Sequence, residues 1–459
     1  MASNFQVIVV GLGIAGAVSA ILLERAGIDY VVLERAPQLR RNGTAISLNA
    51  QTLRLFEQLG LLDQLLAKAM PLRQIVFFRQ KKMTSKNKKS NNNNNNNSNN
   101  NNNNLQRLTA IPLDQLEHRH GYPSILLSHA DLMETLLAAI PPDRIHWNKR
   151  VLDVTEYRAC VAVKTQDSTI YDGQIVLGAD GAYSAVRHHM FRHLKKRGRF
   201  VPDSDFEGRR VRLEMSVAAG TAEHLDRWMY KSLRESTVDM MAIVGDDGPH
   251  MAWLLPLKGE RICWLVGTKQ REIQKARNDH AFRLSEWELR ADRSMYDQAR
   301  DLKLPIAGTL GDLIDRSNSQ DIVQVMVDEK CFKTWFSDRM VLIGDGATQA
   351  ILDAVCLVNL LHQMPKTTNR EIHRIFSTYY DQRYPVVQSA LQSSNMIAGL
   401  AAKTGKVANM ARKIASTLIP QAAMTYALDR LMVHRPIASF LPPPPARGKV
   451  LPRTQTSMV

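Results

Sequence analysis

Three glycines and one acid near the start of the chain are spaced to hold a dinucleotide. Gly11, Gly13 and Gly16 form G-x-G-x-x-G, directly after the strand pattern Phe5–Val10 and at the start of the helical pattern Ala15–Ala26. In such a turn the first glycine makes the sharp bend and the second lets backbone approach a pyrophosphate. The third lets the helix pack on the strand, and the helix N-terminus offers N–H groups to the anion. A second strand pattern, Ile28–Leu33, ends at Glu34, where a carboxylate can accept hydrogen bonds from a ribose. Gly27, between the two, reads as a helix cap.

Two later stretches also run from a strand through Gly and Asp into a helix. The first, "IVLGADGAYSAVR", carries Asp180 and Gly181. The second, "RMVLIGDGATQAILDAV", has a strand pattern over Met340–Ile343 and a helical one over Ala347–Leu361, with only Gly344, Asp345 and Gly346 between. A strand that ends in Gly-Asp and feeds a helix marks a cofactor crevice. Here so little backbone remains that the stretch is either a tight strand-to-helix turn or a binding loop without its middle. Spacing alone leaves both open.

These motifs, in this order, give the chain its resemblance to the FAD-dependent monooxygenases of the p-hydroxybenzoate hydroxylase type. The resemblance runs from about Phe5 to Pro452. The phrases "FEQLGLLDQL", "GYPSILLSHADLMETLL", "FRLSEWELRAD" and "YYDQRYP" are similar to the branch acting on terpenoid-like or polyketide-like substrates. It implies an α/β fold: a Rossmann-like FAD-binding domain, a β-rich substrate domain and a C-terminal helical tail. It also implies roles by position. Gly11, Gly13, Gly16 and Glu34 match the ADP-binding half, and Ser47 a backbone position near the flavin. Asp180 and Gly181 match the motif that touches FAD and the transient nicotinamide nucleotide. Asp345 matches the aspartate that holds the ribityl chain. Where the family usually has an arginine, this chain has His129, a shorter side chain that is neutral unless protonated, so that contact is weakened.

The resemblance also gives the short turn a meaning. In the family, Gly-Asp is followed by a segment containing His, Pro and Gly-Gln-Gly, and then by the helix. Here Gly346 matches the last of those glycines and Ala347 the alanine after it, so the segment between is absent. In the family that segment passes beside the isoalloxazine ring, and the helix N-terminus stabilises negative charge on reduced flavin. The chain is therefore expected to be an FAD-dependent monooxygenase, an oxidoreductase using NADH or NADPH, written NAD(P)H, and O2. It would hydroxylate or epoxidise a small hydrophobic, secondary-metabolite-like organic substrate, with flavin chemistry impaired by the deletion after Asp345. The alternatives are a non-catalytic nucleotide- or lipid-binding relative, and a flavin-dependent reductase on the same fold. No catalytic side chain and no metal site is named.

Composition narrows the rest. The 459 residues suffice for two or three domains, and the net charge is +16. No basic run with interleaved aromatics suggests a nucleic-acid groove, so nucleic acid is not expected as a partner. Cys160, Cys263, Cys331 and Cys356 lack C-x-x-C spacing, which fits a reducing, intracellular setting, cytoplasmic or membrane-peripheral. The uncharged run Val7–Leu23 has no basic residues ahead of it and three glycines at motif spacing, so it reads as the nucleotide turn and not as a targeting segment.

The expected FAD-binding domain is discontinuous: 1–75, 121–195 and 335–364. Residues 76–120 form a hairpin interrupted by an Asn-rich insert, 86–104, whose composition supports no core. Residues 196–334 form the β-rich substrate domain, where Trp253, Trp264 and Met241 are candidates to line the pocket or to pack in the core. His118, His120, His188 and His189 are expected at the surface. Residues 365–459 comprise basic helices and a Pro-rich tail. Val407, Met410, Ile414 and Leu418 share one helical face there, which suits contact with a membrane surface or packing on the body.

Overall fold

The structure is a computed structural model that describes residues 4–39, 43–80, 105–181, 184–199, 215–245, 250–268, 296–327, 331–344, 346–402 and 421–453. The Asn-rich insert, Asp345 and the apolar face Val407–Leu418 lie outside the described residues.

A mostly parallel sheet carries the nucleotide motifs. Its central strand β1 (Asn4–Val10) pairs in parallel with β2 (Tyr30–Leu33) on one side and β10 (Ile170–Gly178) on the other. Beyond β10 lies β17 (Met340–Leu342), also parallel, and beyond β2 lies β7 (Ile145–His146). The short β16 (Phe336–Ser337) closes the β17 edge, and the hairpin of β8 (Val151–Glu156) and β9 (Val161–Thr165) extends β10. So the three strands that end in glycine motifs, β1, β10 and β17, are neighbours pointing the same way. Their carboxyl ends lie side by side, where open α/β sheets bind ligands.

Helix α1 (Ile14–Arg25) follows the first turn, and Ala15 through Leu23 are all buried. It is apolar on every side because it is enclosed: α8 (Ala347–His362) and α5 (His129–Leu137) both pack on it. Gly27 has φ +68 and donates its N–H to Glu24 O, the cap expected of it. Helices α2 (Ala50–Gln58), α3 (Leu62–Lys68) and α4 (Asp114–His120) flank the same domain, as does α6 (Ala185–Lys196) beyond β10. Asn49, Ser128 and Ser184 cap α2, α5 and α6 through side-chain oxygens.

The second sheet has nine strands. Its order is β15 (Val323–Val327), β11 (Met215–Ala222), β14 (Arg261–Thr268), β13 (His250–Leu257), β12 (Val238–Gly245), β4 (Met70–Gln80), β6 (Ile125–Ser128) and β3 (Ala45–Leu48). The long β4 joins the domains: Met70 and Pro71 pair with β6, and later residues run parallel to β12. β5 (Leu105–Pro112) pairs antiparallel with β4, Gln80 opposite Leu105, which is the hairpin expected around the insert.

Alternation along β13 and β14 assigns the two faces. Ala252, Leu254, Ile262, Trp264 and Val266 pack under Tyr296, Leu304 and α7 (Leu310–Asp315). Leu255, Leu257 and Cys263 face the domain that carries the glycine motifs, with the half-buried Trp253 and Leu265 beside them. Trp264, fully buried, and Met241 therefore belong to the outer core and not to the inner face. Trp253 remains on the inner face, edge-on to Phe77 with centroids 6.0 Å apart.

The long helix α9 (Asn369–Ala402) contains Pro385, and α10 (Gln421–Met432) follows. The Pro-rich end is docked on the body. Gln58 Nε2 donates to Ala438 O at 2.9 Å, Ala438 N returns a bond to Gln58 Oε1 at 2.9 Å, and Phe440 lies against His362. Gly121 (φ +81) and Gly448 (φ +72) cross closely here, and a Cβ on Gly121 would lie 2.2 Å from the Cβ of Arg447. His120 is not at the surface: it is fully buried, with Nε2 2.9 Å from Asp429 Oδ1, and Arg435, also buried, donates to its carbonyl. His118 is exposed, whereas His188 and His189 are half-buried on α6.

Candidate functional site

The first two glycine motifs meet at the ends of β1 and β10. Gly11 has φ +97 and donates to Leu33 O at 2.9 Å, while Ala179 N donates to Val10 O at 2.8 Å. A Cβ on Gly11 would lie 2.6 Å from Ala179 O and 2.8 Å from Asp180 Cα, so only glycine fits both the angle and the space. A Cβ on Gly16 would lie 1.9 Å from Gly11 O, which is the close helix-to-strand approach read from the spacing. Gly13, the N-cap of α1, is different. A Cβ there would meet nothing within 4 Å, and its φ of −75 would suit any residue. The fold does not require a glycine at this position, and the missing side chain leaves the backbone open to approach.

Glu34 stands where β2 ends. Its Oε2 accepts from Leu12 N and its Oε1 from Ala36 N, each at 2.8 Å. The carboxylate is thus aimed across the mouth of the glycine turn and retains lone pairs for a hydroxyl. Asp180 is buried. Oδ2 accepts from Ala185 N at 2.7 Å and Val186 N at 3.2 Å, at the start of α6, whereas Oδ1 is buried with no hydrogen-bond partner among the described residues. Burial pushes this carboxyl up from its ordinary value, offset in part by the Ser184 hydroxyl and the two backbone N–H groups. Gly181, at φ +78, accepts from Ser184 N and turns the chain into α6.

The third motif lies at the end of β17. Ile343 and Gly344 lead to Gly346, the N-cap of α8, whose first residue is Ala347. No side chain caps this helix, so its N-terminus presents backbone donors. The strand and helix fall within a residue of their sequence-derived bounds. What the sequence did not reveal is the support beneath the turn. Asp353, inside α8, accepts the Gly344 N–H at 3.0 Å through Oδ2, and its Oδ1 takes Arg383 Nε of α9 at 2.6 Å. In the sequence the two partners lie in separate stretches, Asp353 in "RMVLIGDGATQAILDAV" and Arg383 in "YYDQRYP".

His129 and Ser47 lie at the β3–β6 edge of the second sheet: β3 carries Ser47, and β6 leads into α5 at His129. His129 begins α5 and donates its backbone N–H to Thr44 O at 2.9 Å. Burial lowers its side-chain pKa, which favours the neutral imidazole and removes the charge an arginine would bring. Ser47 is exposed on β3, opposite Leu126. Gly43, just before β3, ties this edge to β11: its carbonyl accepts from Thr221 Oγ1 at 2.9 Å.

Among the described residues one cluster brings potential metal-ligand atoms within 4.8 Å: Glu156, His193 and Asp338. Arg197 and Arg199 ion-pair with the Asp338 oxygens, so the group is a salt-bridge cluster beside β16 and β17.

Fold and site together define an α/β dinucleotide-binding protein with a β-sheet domain set against its cofactor edge. Comparison with known families makes the class definite. The family described as FAD binding domain matches residues 4–394, and the chain belongs to it. It is 25% identical to the FAD-dependent monooxygenase atmM of Aspergillus flavus over 97% of this chain and 88% of that one. It is 28% identical to the FAD-dependent monooxygenase andE of Emericella variicolor over 83% and 76%. Among solved structures, Klebsiella pneumoniae HpxO complexed with FAD and uric acid superposes with a TM-score of 0.66 at 20% identity, covering 93% of this chain and 97% of that one. Tetracycline destructase Tet(51) superposes at 0.62, with 17% identity and coverage of 93% and 98%. At these identities the structural likeness speaks for the fold.

Proposed function

We propose that the chain is an FAD-dependent monooxygenase that uses NAD(P)H and O2 to hydroxylate or epoxidise a small hydrophobic organic substrate. The observation that carries the cofactor reading is Gly13: an open, backbone-only position at the N-terminus of a buried helix, within reach of Glu34. The curated relatives supply the reaction class.

The residues present fit FAD. Gly11 to Gly16 and the N-terminus of α1 would hold the pyrophosphate, and Glu34 the adenosine ribose. Asp180 Oδ1, buried and unpartnered among the described residues, awaits a donor such as a cofactor hydroxyl or a bridging water. Gly181, Ser47 and His129 would border the flavin, with Asp345 on its ribityl chain. Bound and reduced by NAD(P)H, FAD supplies the activation of O2. The chain's part is to orient and to exclude water. Backbone donors at Gly346 and Ala347 favour negative charge beside them. The apolar inner face at Trp253, Phe77, Met240 and Leu265 offers a dry wall for a hydrophobic substrate. No side chain has to take part in bond making.

One observation favours a second reading, a nucleotide-binding relative that turns nothing over: β17 passes to α8 with almost no loop to border the ring. The deciding experiment is the visible spectrum of the purified protein with and without added FAD, followed by NAD(P)H oxidation. A flavin spectrum with substrate-dependent oxidation and oxygen-18 incorporation supports the monooxygenase. Substrate-dependent NAD(P)H oxidation that needs no O2 and leaves no oxygen-18 in the product points to the reductase, and bound flavin without oxidation to the silent relative.

For location we propose a cytoplasmic or membrane-peripheral protein. No helix among the described residues is long and apolar enough to cross a membrane. The sequence pattern at Val407, Met410, Ile414 and Leu418 beside Lys406, Arg412 and Lys413 supports peripheral contact. Co-sedimentation with anionic vesicles, lost on replacing the three basic residues, is the test.

A further inference from the structure

The strongest electrostatic feature outside the glycine motifs is a buried ion pair beneath the third one. Asp353 is fully buried, and Arg383 is 3% exposed. Two charges are removed from water here, which costs more than an apolar pair of the same size unless the arrangement does something specific. What it does is visible in the remaining bonds. Asp353 Oδ2 reaches back past the start of its own helix to the Gly344 N–H, and Arg383 Nη2 donates to Gln349 Oε1 at 2.7 Å, one turn nearer the helix start. Tyr379, also buried, donates to Leu342 O at 3.1 Å at the end of β17. The pair therefore clamps the first turns of α8 against the last residues of β17 from both sides.

A side chain on Gly344 would press on the Asp353 carboxylate. A Cβ there would lie 3.0 Å from Asp353 Oδ2. The clamp acts on the connection from β17 to α8, where only residues 343–346 separate strand from helix. A short turn fixed only by its two flanks has its helix N-terminus placed by whatever ties those flanks together.

We propose that Asp353 and Arg383 are positioning residues for the flavin half of FAD, holding the N-terminus of α8 at the distance the ring requires. This rests on the FAD reading above. Neither side chain touches the cofactor; both act through Gly344 and the start of α8. The adenosine half, held by Gly11, Gly13, Gly16 and Glu34 two strands away, is outside their reach.

The test separates the two halves by titrating FAD and ADP against the full chain and against Asp353→Asn and Arg383→Lys, with circular dichroism to verify folding. Asp353→Asn should weaken FAD about tenfold, and Arg383→Lys about three- to tenfold, each with ADP within about twofold. A structural role alone would lower FAD and ADP together, and that result overturns the proposal. So does unchanged FAD affinity in either folded variant. Should Asp353→Asn not fold, the Arg383→Lys ratio of FAD to ADP decides in the same way. A wild-type chain that binds ADP and not FAD would overturn the functional reading itself, which distinguishes the two failures.

Discussion

Glu34 Oε2 accepts the backbone N–H of Leu12 at 2.8 Å, so the end of β2 is tied to the middle of the glycine turn. With Ala36 N on the other oxygen, the carboxylate holds two donors and faces the ligand side. Glu34→Gln has one acceptor oxygen for two donors. Losing a charge-assisted bond of roughly 1.5–3 kcal/mol should weaken FAD about ten- to hundredfold in a fluorescence-quenching titration. Unchanged affinity would show that the ribose is held elsewhere.

Gly13 and Gly16 should behave oppositely. In Gly13→Ala the new methyl meets only open space, so the cofactor-free protein should keep its thermal midpoint while FAD affinity drops by about tenfold or more. In Gly16→Ala the methyl collides with Gly11 O, so the cofactor-free midpoint itself should fall. Equal behaviour of the two variants would contradict the assignment of one glycine to the ligand and the other to the fold.

Glu156 gives a pH dependence with a definite sign. Its side chain is 1% exposed, and burial pushes its pKa from 4.5 to about 7. Between those values the folded chain binds more protons here than the unfolded chain, so this contribution to stability falls as pH rises through the window and is constant above it. Glu156→Gln keeps the acceptor for Arg339 N and removes the charge. It should be more stable than wild type near pH 8, by up to roughly 3 kcal/mol, with the difference closing toward pH 4.5. Denaturant midpoints at the two pH values measure it; a constant difference would show that Glu156 does not titrate in this range.

Lengthening the third turn should help the flavin. Inserting a segment with His, Pro and Gly-Gln-Gly between Asp345 and Gly346 restores backbone donors, each contributing roughly 1.5–3 kcal/mol if charge-assisted. FAD should then bind at least about tenfold more tightly, with ADP unaffected. Equal, tight binding by both chains would mean that the short turn is already complete.

Removing residues 86–104 should leave the thermal midpoint within a few degrees of wild type. The insert is lysine- and asparagine-rich, and it joins strands already paired from Gln80 opposite Leu105. A fall of many degrees in calorimetry would show that the tract contributes to the core.

What the sequence made legible was local. Each glycine motif is a strand, a turn and a helix written within about twenty residues, and the β4–β5 hairpin could be read across its insert because both arms keep strand character. What stayed hidden depended on distant partners. Whether Trp264 lines a pocket or a core is decided by residues 296–314, which cover one face of the sheet. His120 reads as a surface residue in a charged stretch, and it is buried only because Asp429 and Arg435 come back to it. The Asp353–Arg383 pair joins two helices, and neither residue's neighbourhood in the sequence announces a buried charge.

The clasp between Gln58 and Ala438 sets a clock on biosynthesis. Its two hydrogen bonds join residues 380 positions apart. At roughly 5–20 residues per second, α2 leaves the ribosome on the order of 20–80 s before the segment that covers it. During that interval Gln58 and the apolar side of α2 are open to chaperones or to neighbouring nascent chains. A transcript that stops short of Ala438 yields a chain on which that window never closes.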